Sequence, residues 1–173
     1  MINPHEFEAF MRQYQDMVFT TAFRLLANQA DAEDVAQTTF LKAYEHFDDL
    51  AESSTAGGWL KKVATNQCLN HLSRYQSRWR FFSDLEHDSS GEESGWEPAG
   101  PDGATDGMEA RDRKRLLEEA LQKLPAQQRI SLVLYHFEEM SCEDIAARLQ
   151  ISLSKVKMDM HRGRERLRRK LKL

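Results

Sequence analysis

Ser141-Cys-Glu-Asp-Ile-Ala-Ala-Arg-Leu149, Gln150-Ile-Ser152 and Leu153-Ser-Lys-Val-Lys-Met-Asp-Met-His-Arg-Gly-Arg164 follow one another and read as a helix, a tight turn and a second helix. Ser141 with Asp144 three positions on has the form of a capping box, in which the two side chains satisfy backbone donors at a helix start. Ile145, Ala146 and Leu149 then make a short apolar stripe. Ser152 is placed to cap the next helix, whose Val156, Met160, Gly163 and Leu167 share one face. Ser154, Lys155, Lys157, Met158, His161 and Arg162 occupy the other faces. A two-helix corner with a polar, cationic second helix has the shape and charge that the DNA major groove admits. The alternative is a plain helical hairpin with a solvated face, and the charge distribution weighs against it.

The net charge of −4 conceals a segmented chain. Residues 1–58 carry three basic against ten acidic side chains, whereas 59–82 carry Lys61, Lys62, Arg74, Arg78 and Arg80 and no acid. Residues 83–110 hold nine acids and no base, and 141–173 hold ten bases against four acids. Two cationic segments flanking an anionic one are the footprint of nucleic-acid binding. The anionic segment also holds five glycines and two prolines, which oppose regular structure, and its like charges resist collapse. The reading is therefore all-α: two small helical domains, 1–82 and 111–173, joined by a flexible acidic linker, 83–110. No internal repeat and no strand-like alternation appears.

Composition excludes several classes. At 40% hydrophobic residues the chain can pack cores yet stays polar, and no run approaches the ~18 apolar residues of a membrane span. The N-terminal Met1-Ile-Asn-Pro-His-Glu6 lacks the basic-then-apolar form of a signal peptide. Cys68 and Cys142 are isolated and suit a reducing compartment rather than a disulfide framework. A cytoplasmic protein without stable membrane insertion is expected. His5, His46, His71, His87, His136 and His161 show no metal spacing, and no nucleophile–base pair or phosphate loop is found. Neither cofactor nor metal nor catalysis is expected.

The N-terminal domain reads as three or four helices. Asn3 caps a first helix with Pro4 at its first position, and Phe7, Phe10, Met11, Tyr14, Val18, Ala22 and Leu25 follow at helical spacing. A second helix, from near Asp31, turns Val35, Ala36, Thr39, Phe40, Ala43 and Phe47 inward and Asp34, Gln37, Leu41, Lys42 and Glu45 outward. After a polar loop from Asp48 to Gly58, a third helix from about Trp59 to Arg78 buries Leu60, Val63, Ala64, Cys68 and Leu72. Lys62, Asn66, Asn70 and Ser73 form its outer strip, ending in Arg74, Arg78, Trp79 and Arg80.

Four segments carry a resemblance. Asp31-Ala-Glu-Asp-Val-Ala-Gln-Thr-Thr-Phe-Leu-Lys-Ala-Tyr44, Trp59-Leu-Lys-Lys-Val-Ala-Thr-Asn66, Ala120-Leu-Gln-Lys-Leu-Pro-Ala-Gln-Gln-Arg129 and the helix-turn-helix with its Arg162-Gly-Arg-Glu-Arg-Leu167 tail resemble, in order, segments of bacterial extracytoplasmic-function sigma factors. The resemblance implies a promoter-specificity factor with two partners, core RNA polymerase and promoter DNA, and control by a separate anti-sigma factor. On it, Asp34, Gln37 and Leu41 face the polymerase clamp. Lys62, Asn66, Asn70 and Arg74 approach the −10 element, and Ser154, Lys155, Lys157, Met158, His161 and Arg162 lie at the −35 groove.

The chain departs from the family in places. Leu50 and Ala56 stand where aromatics are usual, in a loop that helps pocket an extruded −10 base. Ser154-Lys-Val-Lys157 replaces the usual Gly-Thr-Val-Lys and adds a positive charge. Gly163 replaces a common Ala, at a helix cost of about 1 kcal/mol or in return for close packing. Two other classes stay open: a helix-turn-helix regulator that works without polymerase, and an all-helical enzyme using Glu33 and Asp34 as ligands. The first has no use for the Asp31–Tyr44 and Trp59–Asn66 segments, and the second needs a facing acidic or His motif that the sequence lacks.

Overall fold

The computed structural model describes residues 1–74 and 109–172, and within it every regular element is a helix. The chain divides into two compact units, Met1–Leu72 and Ser73–Leu173. The expected linker lies outside the described residues except for Glu109 and Ala110, as do Arg78, Trp79 and Arg80.

The first unit contains α1 (Pro4–Leu26), α2 (Gln29–Glu45), the short α3 (Phe47–Leu50) and α4 (Ala56–Ser73). Local chemistry sets the helix starts. Asn3 Oδ1 accepts from the His5 amide at 3.0 Å, and Asn28 Oδ1 from the Asp31 amide at 3.0 Å. These bonds relieve the orphan donors that every helix N-terminus carries. The second cap starts α2 at Gln29, two residues before the sequence-based estimate. Val18, Ala22 and Leu25 of α1 are fully buried with Ala32 and Ala43 of α2 and Leu60, Ala64 and Cys68 of α4. At one end Phe7 meets Phe47 and Tyr44 edge-on, at centroid distances of 5.1 and 5.0 Å. Such edge-to-face pairs add about 0.5–1.5 kcal/mol each beyond the area they bury.

The expected polar loop from Asp48 to Gly58 is shorter than the sequence suggests. Leu50 closes α3 as a core residue, and α4 begins at Ala56, which is itself buried. Gly57 lies within this first turn, and a Cβ there would come to 3.2 Å of Tyr14 Cε1. Close approach of α1 thus explains a glycine that reads as a helix breaker. The two non-aromatic departures, Leu50 and Ala56, are buried packing positions here; the half-buried Trp59 of this corner meets the His46 ring at 5.7 Å.

The second unit contains α5 (Ala110–Gln122), α6 (Ala126–His136), α7 (Cys142–Leu149) and α8 (Leu153–Leu171). Ser141 Oγ accepts from the Asp144 amide and Ser152 Oγ from the Lys155 amide, both at 3.1 Å. Between them Gln150 takes the left-handed conformation, φ 57°, and lets the Ile151 amide reach back to the Ala146 carbonyl at 3.1 Å. Ile130, Val133, Leu134, Ile145, Val156 and Met160 form the core. Arg129 is buried with them, and its Nη1 donates to the Leu124 carbonyl at 3.3 Å across the α5–α6 turn. Burial lowers its pKa to about 10, which still leaves it charged at neutral pH.

Gly163 resolves in favour of close packing. A Cβ there would sit 2.6 Å from Leu132 Cδ1 and 3.4 Å from Gln128 Cβ, both on buried residues of α6. Gly163→Ala should gain about 1 kcal/mol of helix propensity and lose about 1–3 kcal/mol to overpacking. The expected net effect is a melting midpoint a few degrees lower for this unit, read by circular dichroism. A higher midpoint would show that Leu132 gives way freely.

Candidate nucleic-acid interface

The outer line of α8 is assembled by the caps and core just described. Val156, Met160 and Gly163 anchor one side of the helix, so Ser154, Lys157, Met158, His161 and Arg162 are all solvent-exposed, Met158 at 39%. Lys157, His161 and Arg162 supply donors, Ser154 a donor and acceptor, and Met158 an apolar contact, the mixture a base edge and its flanking phosphates call for.

Lys155 is held differently from its expected neighbours on that face. Its side chain is only 19% exposed, and its Nζ lies 3.1 Å from Oδ2 of Asp159, whose side chain is 6% exposed. The same ammonium donates to Gln127 Oε1 of α6 at 2.9 Å. The positive charge that Ser154-Lys-Val-Lys157 adds is therefore matched inside the domain by an acid. Asp159 is not among the residues the sequence marks as functional; its signal is a lysine four positions before an acid that sits beside the buried Met160.

A second polar cluster lies further along α8. Arg164 donates from Nη2 to His136 Nε2 at 3.3 Å, and its guanidinium lies 5.8 Å from the centre of the Tyr135 ring. Partial burial, then the Arg164 charge, lower the His136 pKa. Stability from this group is accordingly full above the ordinary histidine pKa and declines as pH falls through 6.5 toward the lowered value.

The first unit presents two surfaces. On α2, Asp34, Gln37 and Leu41 are exposed on one side, and Leu41 is 69% and Tyr44 48% accessible, unusual values for large apolar side chains. On α4, Lys62, Asn66 and Asn70 are exposed at spacings of four, hence on one strip, and Arg74 is exposed just past the helix end. His71 Nε2 lies 3.4 Å from Asp31 Oδ2 and ties the end of α4 to the start of α2. The strip is polar and cationic, which suits binding a polyanion. Among the described residues no group of three or more His, Cys, Asp or Glu side chains gathers to hold a metal, and no helix is long and apolar enough to cross a membrane.

Comparison with known proteins covers both units. Residues 10–78 match the family Sigma-70 region 2, and residues 114–167 match Sigma-70, region 4. The chain is 32% identical over 166 residues to the RNA polymerase sigma-E factor of Streptomyces avermitilis, covering 96% of this chain and 85% of that protein. It is 28% identical over 161 residues to the ECF RNA polymerase sigma factor SigW of Bacillus subtilis, covering 92% and 85%. Among solved structures, the sigma factor RpoE in complex with the anti-sigma factor NepR from Bartonella quintana aligns over 96% of this chain and 97% of that one, with 25% identity and a TM-score of 0.49.

Proposed function

The chain belongs to the sigma-70 family as an extracytoplasmic-function sigma factor, a promoter-specific transcription initiation factor, and from that premise we propose how its surfaces divide the work. Residues 1–82 act as region 2 and 111–173 as region 4, with 83–110 as the tether between them. Asp34, Gln37 and Leu41 contact core RNA polymerase. Lys62, Asn66, Asn70 and Arg74 meet the −10 element as it opens. Ser154, Lys157, Met158, His161 and Arg162 read the −35 element, and a separate anti-sigma protein in the cytoplasm restrains the factor. No catalytic step belongs to this chain; the chemistry is the polymerase's.

The observation that carries the −35 assignment is the exposed polar line of α8 on a helix fixed by Val156, Met160 and Gly163. Run-off transcription with core polymerase, beside a permanganate footprint of the open promoter, tests the whole scheme. If Arg162 reads a guanine, Arg162→Ala costs about 1–3 kcal/mol and relaxes preference at one −35 position; if it meets phosphate, all sequences weaken alike. Asn66→Ala should leave polymerase capture and −35 preference intact while lowering permanganate reactivity at −10. Loss of polymerase capture in Asn66→Ala would refute this division of surfaces.

A further inference from the structure

We infer that Lys155, Asp159 and Gln127 form a clamp that positions the recognition helix and withholds one cation from the DNA backbone. The inference rests on the reading of α8 as the −35 helix. An ammonium has three donors, and here Nζ serves Gln127 Oε1 at 2.9 Å and the Asp159 oxygens at 3.1 and 3.3 Å. A phosphate contact by Lys155 would have to break this set and leave a buried carboxylate without its counter-charge, a costly arrangement in a protein interior. The two partners also fix geometry. Asp159 is one helical turn after Lys155 on α8, whereas Gln127 sits in the first turn of α6, so the ammonium pins the recognition helix to its support.

Withholding this charge has a consequence for recognition. A lysine on phosphate raises affinity for every sequence equally and adds to the salt dependence of binding. With Lys155 neutralised by Asp159, the outer face keeps Lys157 and Arg162 as its cations, with Arg164 held against His136 and Tyr135 further along the helix, and base discrimination counts for more of the total. Asp159 is thus a specificity-determining residue that never touches DNA, and Lys155 is a positioning residue.

The test uses the factor assembled with core polymerase on a promoter duplex and on one with a scrambled −35 element, over a series of KCl concentrations. Lys157→Gln should flatten the slope of log affinity against log salt by about 0.9, the loss of one phosphate contact. Lys155→Met should leave the slope at the wild-type value. Asp159→Asn should steepen it by about 0.9 as the freed ammonium finds a phosphate, and should lower the ratio of affinities for intact over scrambled promoter several-fold. Thermal unfolding of the free chain supplies an arm that needs no DNA. Lys155→Met alone should lower the midpoint, and adding Asp159→Asn should recover part of the loss, because the stranded carboxylate is gone. That double variant also keeps the slope measurement available if the single one folds poorly. A slope flattened in the double variant as much as in Lys157→Gln would show Lys155 on DNA and overturn the inference, as would additive midpoints. Failure of the −35 reading itself looks different: Lys157→Gln and Arg162→Gln would both leave slope and promoter preference untouched while the unfolding arm stayed non-additive.

Discussion

Replacing Leu41 with Asp should abolish capture of core RNA polymerase and leave the factor folded. Leu41 is 69% exposed on α2, so its side chain contributes little to the core and its loss should not shift the melting midpoint. At a protein interface the same side chain would be covered, a gain of about 1.5–3 kcal/mol for a fully buried leucine. The aspartate forfeits that gain and carries a charge into a surface that has lost its water, next to the acidic Asp34 and Glu45 that already line this helix. A total above about 3 kcal/mol weakens binding more than 100-fold. Gln37→Ala, which removes a neutral polar contact, should cost about 1 kcal/mol. Sedimentation or native-gel assembly with core enzyme measures both. Undiminished assembly by Leu41→Asp would remove α2 from the polymerase interface and turn attention to the half-exposed Tyr44 end of the helix.

Exposure of Leu41 was legible in the sequence because Val35, Thr39, Phe40 and Ala43 fix the buried side of α2, and 100° per residue then places 34, 37 and 41 outside. Caps were legible for the same kind of reason: Asn3, Ser141 and Ser152 are short polar side chains just before apolar-periodic runs, and each accepts the expected amide. Two features were not. The α3 segment and the early start of α4 depend on tertiary contacts, with Leu50 and Ala56 drawn into the core beside the expected Phe47 and Gly57 against Tyr14, and local propensity carries no trace of those. Lys155 lies between the exposed Ser154 and the buried Val156, where helical periodicity cannot decide its side. Only the position of Gln127, 28 residues away in sequence, settles where its ammonium goes.

Ile145→Ala should separate the functions of the two units. Ile145 is the single fully buried side chain of α7, a helix of eight residues that is too short to persist alone in water. It is held by that side chain, by the partly buried Cys142, Ala146 and Leu149, by the Ser141 cap and by the left-handed exit at Gln150. Truncation to alanine in a packed site costs about 2–5 kcal/mol, a large share of the stability of a domain this small. The helix-turn-helix should then open, and with it the support that aims α8. Expected results are a melting transition of the second unit lowered by ten degrees or more, affinity reduced to the value for a scrambled −35 element, and polymerase capture through α2 unchanged. Ile145→Val, which removes one methyl group, should cost only about 0.5–1.5 kcal/mol and keep promoter preference, so a graded series distinguishes lost packing from lost contact. Retained −35 discrimination in a melted second unit would show that α8 reads DNA without its scaffold. Loss of polymerase capture together with the −35 preference would show that both units are needed to hold the enzyme, and the division of labour drawn from the two exposed surfaces would have to be given up.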